Sequence, residues 1–170
     1  DTQAAVGVRG DVYGDGMAEC VIEGCRLTRL GGYGVDLGRG CQKVRVADNE
    51  MVDLGAGGVR IGETAIRPRP FDATFGVEVL NNHLHQLGRI HPPAVGVFIL
   101  QSGNNHVAHN DIHDLFYTAV SVGWTWGYRE SPCHHNVIEF NHLHDVGRGL
   151  LSDMGGVYTL GPQPGSAVRK

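Results

Sequence analysis

The sequence is poor in lysine, in aromatic residues and in long apolar runs. Lys43 and Lys170 are its only lysines, and the arginines are scattered rather than gathered on one segment. With a net charge of −4, a polyanion-binding footprint is missing, and nucleic acid is not expected as a partner. No stretch approaches the roughly 18 consecutive apolar residues of a membrane span, and no charged, apolar, small-residue leader follows Asp1. No window shows helical periodicity, which argues against helix-pair solenoids. With 170 residues, enough for one ordinary domain with its own core, the chain does not fit a disulfide-stapled miniprotein, although it has four cysteines.

Glycine and small apolar residues dominate instead. The chain holds 26 Gly and is 41 % apolar, so a core can form and disorder is excluded. Collagen is excluded as well, because the glycines do not recur every third residue.

The organisation is a repeat. One phrase returns five times: CVIEGCRLTRLG (20–31), VRVADNEMVDLG (44–55), VEVLNNHLHQLG (77–88), HVAHNDIHDLF (106–116) and VIEFNHLHDVG (137–147). Each reads as a short strand, an Asn-type turn and a second short apolar segment. Aligned, they put Cys25, Asn49, Asn82, Asn110 and Asn141 in one slot, with Leu27, Met51, Leu84, Ile112 and Leu143 two places later. A further strand with period-two alternation follows each phrase: YGVDLG (33–38), GGVRIG (57–62), VGVFIL (95–100), TAVSVG (118–123) and RGLLSD (148–153).

Several short strands per unit of about 24 residues, with Gly at the corners, predict an all-β fold: a right-handed parallel β-helix of about five coils without substantial helix, its rungs about 4.8 Å apart. An inward Asn at each corner then hydrogen-bonds its neighbours' backbone up the stack. The register of GSAVRK (165–170) matches the lead-in to a sixth slot, so residues 1–170 are expected to be one domain within a longer solenoid, continued by the parent chain at both ends. On the same spacing, Cys41 and Cys133 lie three rungs apart, roughly 14 Å, too far for a disulfide.

Surplus residues fall at 63–74, 89–94 and 124–132, and insertions in a solenoid become surface loops that often mark a binding face. They flank the later strand of each coil, whose outward positions read as Asp36, Arg60, Phe98, Ser121 and Leu151 and would floor an elongated groove suited to a chain-like ligand. WTWGYRESP (124–132) places Trp124 and Trp126 at its edge, where aromatic planes suit sugar rings as well as loop anchoring. Asp153 stands where Gly38, Gly62 and Gly123 stand in other coils, after an inward Ser152, and repeat-breaking polar residues are good functional candidates. Asp114 and Asp145 share a slot with Asp53, as turn-forming residues do. His85, His113 and His144 share another. Such a column could bind a divalent metal or relay protons, although stacking alone also produces it, and the sequence assigns neither metal nor cofactor.

The stretch HNDIHDLFYTAVSVGWTW (109–126) and then HNVIEFNHLHDVGRGLLSDMGGVYTLGPQPG (135–165) resembles the bacterial right-handed β-helix proteins of glycoside hydrolase family 141, above all in YTAVSVGWTWGY and GLLSDMGGVYTLG. The resemblance covers residues 77–165 and implies a pectate-lyase-like solenoid from a secreted or periplasmic enzyme that acts on plant cell-wall glycans, with fucosidase or xylan-degrading activity. It also implies catalytic aspartates at the matching positions, Asp153 in LLSDMGG and Asp114 in IHDLFYT. On this reading Trp124, Trp126, Tyr158 and Ser121 shape the sugar subsite, His113 or His144 tunes its charge, and the partner is a polysaccharide or oligosaccharide. The full-length parent is then the enzyme, and the 170-residue piece alone is not expected to be active. Two rivals remain: a polysaccharide lyase, for which Arg60 is the one plausible base, and a non-catalytic carbohydrate-binding or surface β-helix.

Overall fold

A computed structural model describes residues 3–170. Its strands form three parallel sheets. The first contains, in spatial order, Gly10–Gly14, Tyr33–Leu37, Val59–Ile61, Val97–Ile99, Val120–Val122 and Val157–Thr159. The second contains Val21–Glu23, Arg45–Ala47, Glu78–Leu80, His106–Ala108, Val137–Glu139 and Ala167–Arg169. The third contains Arg26–Thr28, Glu50–Val52, His83–His85, Asp111–His113 and His142–His144. Each coil contributes one strand to each sheet, so the chain winds as a parallel β-helix. Among the described residues only Pro70–Asp72 forms a 3-10 turn, while Gln3–Ala5 is a tight turn with Ala4 and Ala5 in left-handed backbone.

Three sharp corners per coil make the short strands possible. Each corner carries a residue with left-handed backbone. Before the Asn slot it is Gly24, Asp48, Asn81, His109 or Phe140, and after the third sheet it is Arg29, Asp53, Gln86, Asp114 or Asp145. Asx residues tolerate that conformation best, which explains the recurring Asp at the second corner. Glycine is needed where the chain enters the first sheet. A Cβ on Gly58 would come within 2.9 Å of the Gly96 carbonyl oxygen and 3.0 Å of Leu84, and one on Gly96 within 2.6 Å of the Ala119 carbonyl oxygen.

Inside, the alternating residues of the three sheets meet in one core: Val35, Val59, Val97 and Val120 from the first, Val46, Val79, Val107 and Ile138 from the second, and Met51, Leu84 and Ile112 from the third. The predicted slot is an amide ladder. The backbone N–H groups of Cys25, Asn49, Asn82 and Asn110 donate to the side-chain oxygens of Asn49, Asn82, Asn110 and Asn141 at 2.9–3.0 Å. Their side-chain amides donate onward along the stack and to carbonyls such as Val46 and Val79. A shorter ladder was not anticipated: Val77 N–H donates to Asn105, Asn105 N–H to Asn136 and Asn136 N–H to Ser166.

The last coil differs from the sequence reading. RGLLSD is not a strand; Val157–Thr159 is, paired in register with Val120–Val122. The residues between His144 and Val157 form an excursion longer than the passage from His113 to Val120, and Leu150 is exposed within it. Leu160, not Asp153, therefore follows the first-sheet strand as Gly62 and Gly123 do, and Ser152 is exposed rather than inward. Tyr158 replaces Leu151 as the outward residue of this coil.

The ladder yields a direct stability prediction. Asn82→Ala leaves the Asn49 N–H buried without an acceptor, and urea unfolding is expected to show a loss of about 2–4 kcal/mol, the sum of an orphaned donor and the broken amide bonds.

Candidate functional site

The outward positions of the first sheet align as Asp36, Arg60, Phe98, Ser121 and Tyr158. The expected open floor is covered over most of its length. Asp36, Arg60, Phe98 and Ser121 are all buried, and the N-terminal segment lies against Arg60 and Phe98. Tyr33 Oη donates to the Ala4 carbonyl at 3.0 Å, and Ala4 and Ala5 join Phe98, Ala94, Val95, Leu100 and Tyr117 in a second apolar cluster. Beneath this cover Arg60 Nη1 donates to Asp36 Oδ1 at 2.7 Å, with both side chains out of solvent. A polymer cannot reach that guanidinium, so Arg60 cannot serve as the base of a lyase.

Open space remains at the margins. One cleft of about 360 Å³ is lined by Gln3, Ala4, Pro93, Tyr117, Leu151, Ser152 and Asp153. Asp153 is exposed there with left-handed backbone. Tyr117 Oη donates to its carbonyl at 3.0 Å, and Tyr158 Oη donates to its Oδ1 at 3.3 Å. Burial, then the Asp153 charge, raises the Tyr158 and Tyr117 hydroxyls above their ordinary value, so both stay protonated donors.

A second cleft, about 630 Å³, lies among Thr64, Ile66, Gln101, Trp124, Thr125, Arg129 and Glu130. Trp124 stands edge-on to Phe98 with centroids 5.5 Å apart, and Trp126 meets Trp124 edge-on at 4.7 Å. Trp124 thus anchors the loop to the sheet. Trp126 is 47 % exposed and offers a free plane.

Asp114 occupies the corner after the third sheet. Arg89 Nη2 donates to its Oδ2 at 2.7 Å, and Arg148 Nη1 donates to its Oδ1. Burial alone would raise its carboxyl, but the two guanidiniums outweigh that and hold it below the usual range. Asp114 is therefore an ionised carboxylate with both oxygens engaged. It turns to Arg89 and Arg148, whereas Asp153 turns to Tyr117 and Tyr158. Asp145 is exposed and accepts from His144 Nδ1 at 2.9 Å.

The third sheet carries the histidines on its outer face. Val52, His85, His113 and His144 form one column, and Glu50, His83, Asp111 and His142 form the column beside it. The shared slot of His85, His113 and His144 was legible in the sequence. The second column follows from strand alternation, two residues earlier on each coil, and adds His83, Asp111 and Glu50. Burial, then neighbouring histidines, lowers His85 and His113 below the usual imidazole value, while its hydrogen bond to Asp145 raises His144. The cysteines, Cys20, Cys25, Cys41 and Cys133, are free thiols.

Parallel coils closed by three sheets define a β-helical solenoid, a class that presents long, regular outer faces for loops to decorate. A family model for the right-handed β-helix region matches residues 10–160, and the chain belongs to that family. No curated protein and no solved structure matches it. Among the described residues no helix is long and apolar enough to cross a membrane.

Two measurements check these electrostatics. Arg60→Met removes the 2.7 Å partner of buried Asp36 and leaves it only Arg9 at 3.7 Å and the Gly10 N–H, so it is expected to cost about 3 kcal/mol, most of it recovered in Asp36→Asn/Arg60→Met. Because the folded Asp114 carboxyl is depressed, its contribution is full above the unfolded value of about 3.9 and is lost as pH falls through the folded value. Denaturation midpoints of the wild type and Asp114→Asn should therefore differ at neutral pH and converge in acid.

Proposed function

We propose that this chain is a carbohydrate-active β-helix that holds a plant cell-wall glycan along the margin of its first sheet, with Asp153 as the reacting carboxyl of a glycoside hydrolase. One observation carries the reading. An exposed carboxylate opens on a cleft next to two tyrosine hydroxyls, one of them on its Oδ1. The β-helix fold and the resemblance in residues 77–165 support it.

Hydrolysis needs one protonated and one ionised carboxyl across the scissile bond. Asp153, at the open cleft, would be the member placed beside the leaving oxygen. Asp114, kept ionised by Arg89 and Arg148, suits only the unprotonated role. Tyr158 would hold the Asp153 side chain, Trp126 would stack on a sugar ring, and Trp124 would support Trp126 from the sheet. Ser121, which is buried, and His113 and His144, on the third sheet, would act on the subsite only indirectly. Export to the periplasm or cell exterior, where such polymers are met, belongs to the same proposal.

A second reading is favoured by the saturation of Asp114: a non-catalytic module that binds glycan through Trp126. Reducing-end release from xylan and fucosylated xyloglucan separates the two. On the hydrolase reading the full-length protein releases product, Asp153→Asn lowers turnover about 100-fold or more with glycan still bound, and Trp126→Ala weakens binding. Retention of intact glycan by the wild type supports the binding module, and undiminished turnover in Asp153→Asn removes Asp153 from the chemistry.

A further inference from the structure

The outer face of the third sheet does something that rung stacking does not explain. Stacking of equal coils accounts for like residues in one column, as with His85, His113 and His144. It does not account for His83, which stands in the neighbouring column and converges on the same point. His83 and His85 project from one side of a single strand, and His113 projects from the next coil, so three imidazoles meet from two rungs. The centroids of His83 and His85 lie 4.1 Å apart, and each lies 5.2 Å from that of His113. Ligand-capable atoms of all three fall within 4.8 Å of one another.

We propose that His83, His85 and His113 form a binding site for one borderline-soft divalent metal ion of the zinc, nickel or copper(II) class. The His83 and His113 Nε2 atoms hydrogen-bond at 2.9 Å, a contact that an ion would replace by parting them to the separation of about 3.4 Å between two nitrogens bound tetrahedrally at 2.0–2.1 Å. His85 Nε2 points into the cluster shielded from solvent and without a hydrogen-bond partner. Glu50 Oε1 lies 3.6 Å from it, outside the group formed by the three imidazoles. A ring nitrogen held out of solvent with no hydrogen-bond partner is a position that a metal ion would satisfy.

The chemistry of the donors selects the ion. Three imidazoles and at most one carboxylate suit zinc and its neighbours, whereas calcium and magnesium require oxygen cages. Asp111, His113 and His144 form an overlapping set, but Asp111 Oδ1 already contacts His144 Nε2 and His142 Nδ1, each at 3.2 Å. That carboxylate therefore orders the rings around the site rather than leading the coordination.

The test is calorimetric titration of Zn²⁺ into the chelator-treated 170-residue chain, with circular dichroism confirming the fold of each variant. One ion per chain should bind with micromolar or tighter affinity. His113→Gln and His83→Gln should each weaken it about tenfold or more, and His106→Gln, on the second sheet, should leave it within about twofold. His83 is half exposed, with 45 % of its side chain in solvent, so its replacement leaves the core packing untouched. No saturable uptake by the wild type, or uptake undiminished in folded His83→Gln or His113→Gln, overturns the site. So does equal affinity for Ca²⁺.

Discussion

Everything in this molecule rests on keeping successive coils in register. A strand of three residues contributes too few hydrogen bonds to fix its own alignment, and a slip by one residue would turn every outward side chain inward. The asparagine ladder removes that freedom. Each side-chain oxygen takes a backbone N–H from the previous coil, while each amide reaches both the next oxygen and a carbonyl. A slipped coil would bury these groups unpaired, at about 1–3 kcal/mol for each orphan.

Fixed register turns sequence alternation into ordered columns on three faces, and each face is used differently. The first sheet would expose an Asp–Arg–Phe–Ser row, yet all four side chains are buried, with the N-terminal segment against Arg60 and Phe98. What stays accessible there is peripheral: the cleft beside Asp153, built by the excursion before Val157, and the Trp126 plane on its Trp124 strut. The third sheet remains uncovered in part and gathers imidazoles and carboxylates into two adjacent columns. Carbohydrate and metal are thus proposed on different faces of one rigid frame.

Periodic features were legible in the sequence, and aperiodic ones were not. The Asn slot, the β-helix and the histidine column each repeat a residue type at a fixed place in the coil. Alternation alone does not locate the strand of the last coil, because RGLLSD and GVYTLG both alternate and only pairing with Val120–Val122 decides between them. Taking RGLLSD as the strand puts Asp153 in a glycine slot it does not occupy, although the residue still lies at an open cleft. The short ladder of Asn105 and Asn136 escaped notice because Val44 and Val77 fill the same place in other coils. The cover over the first sheet was invisible because a segment such as QAAVGV has no pattern that names its target. Convergence of His83 with His85 and His113 needed a pairing register, not a motif.

Backbone amide exchange in the native chain tests the account most directly, because these corner N–H groups are bonded to asparagine side chains rather than to a backbone ladder. The N–H groups of Asn49, Asn82 and Asn110 should exchange as slowly as those of the central strands, through opening of whole coils. Exchange at these three positions as fast as in the exposed 127–130 loop would contradict a fold held in register by its asparagines.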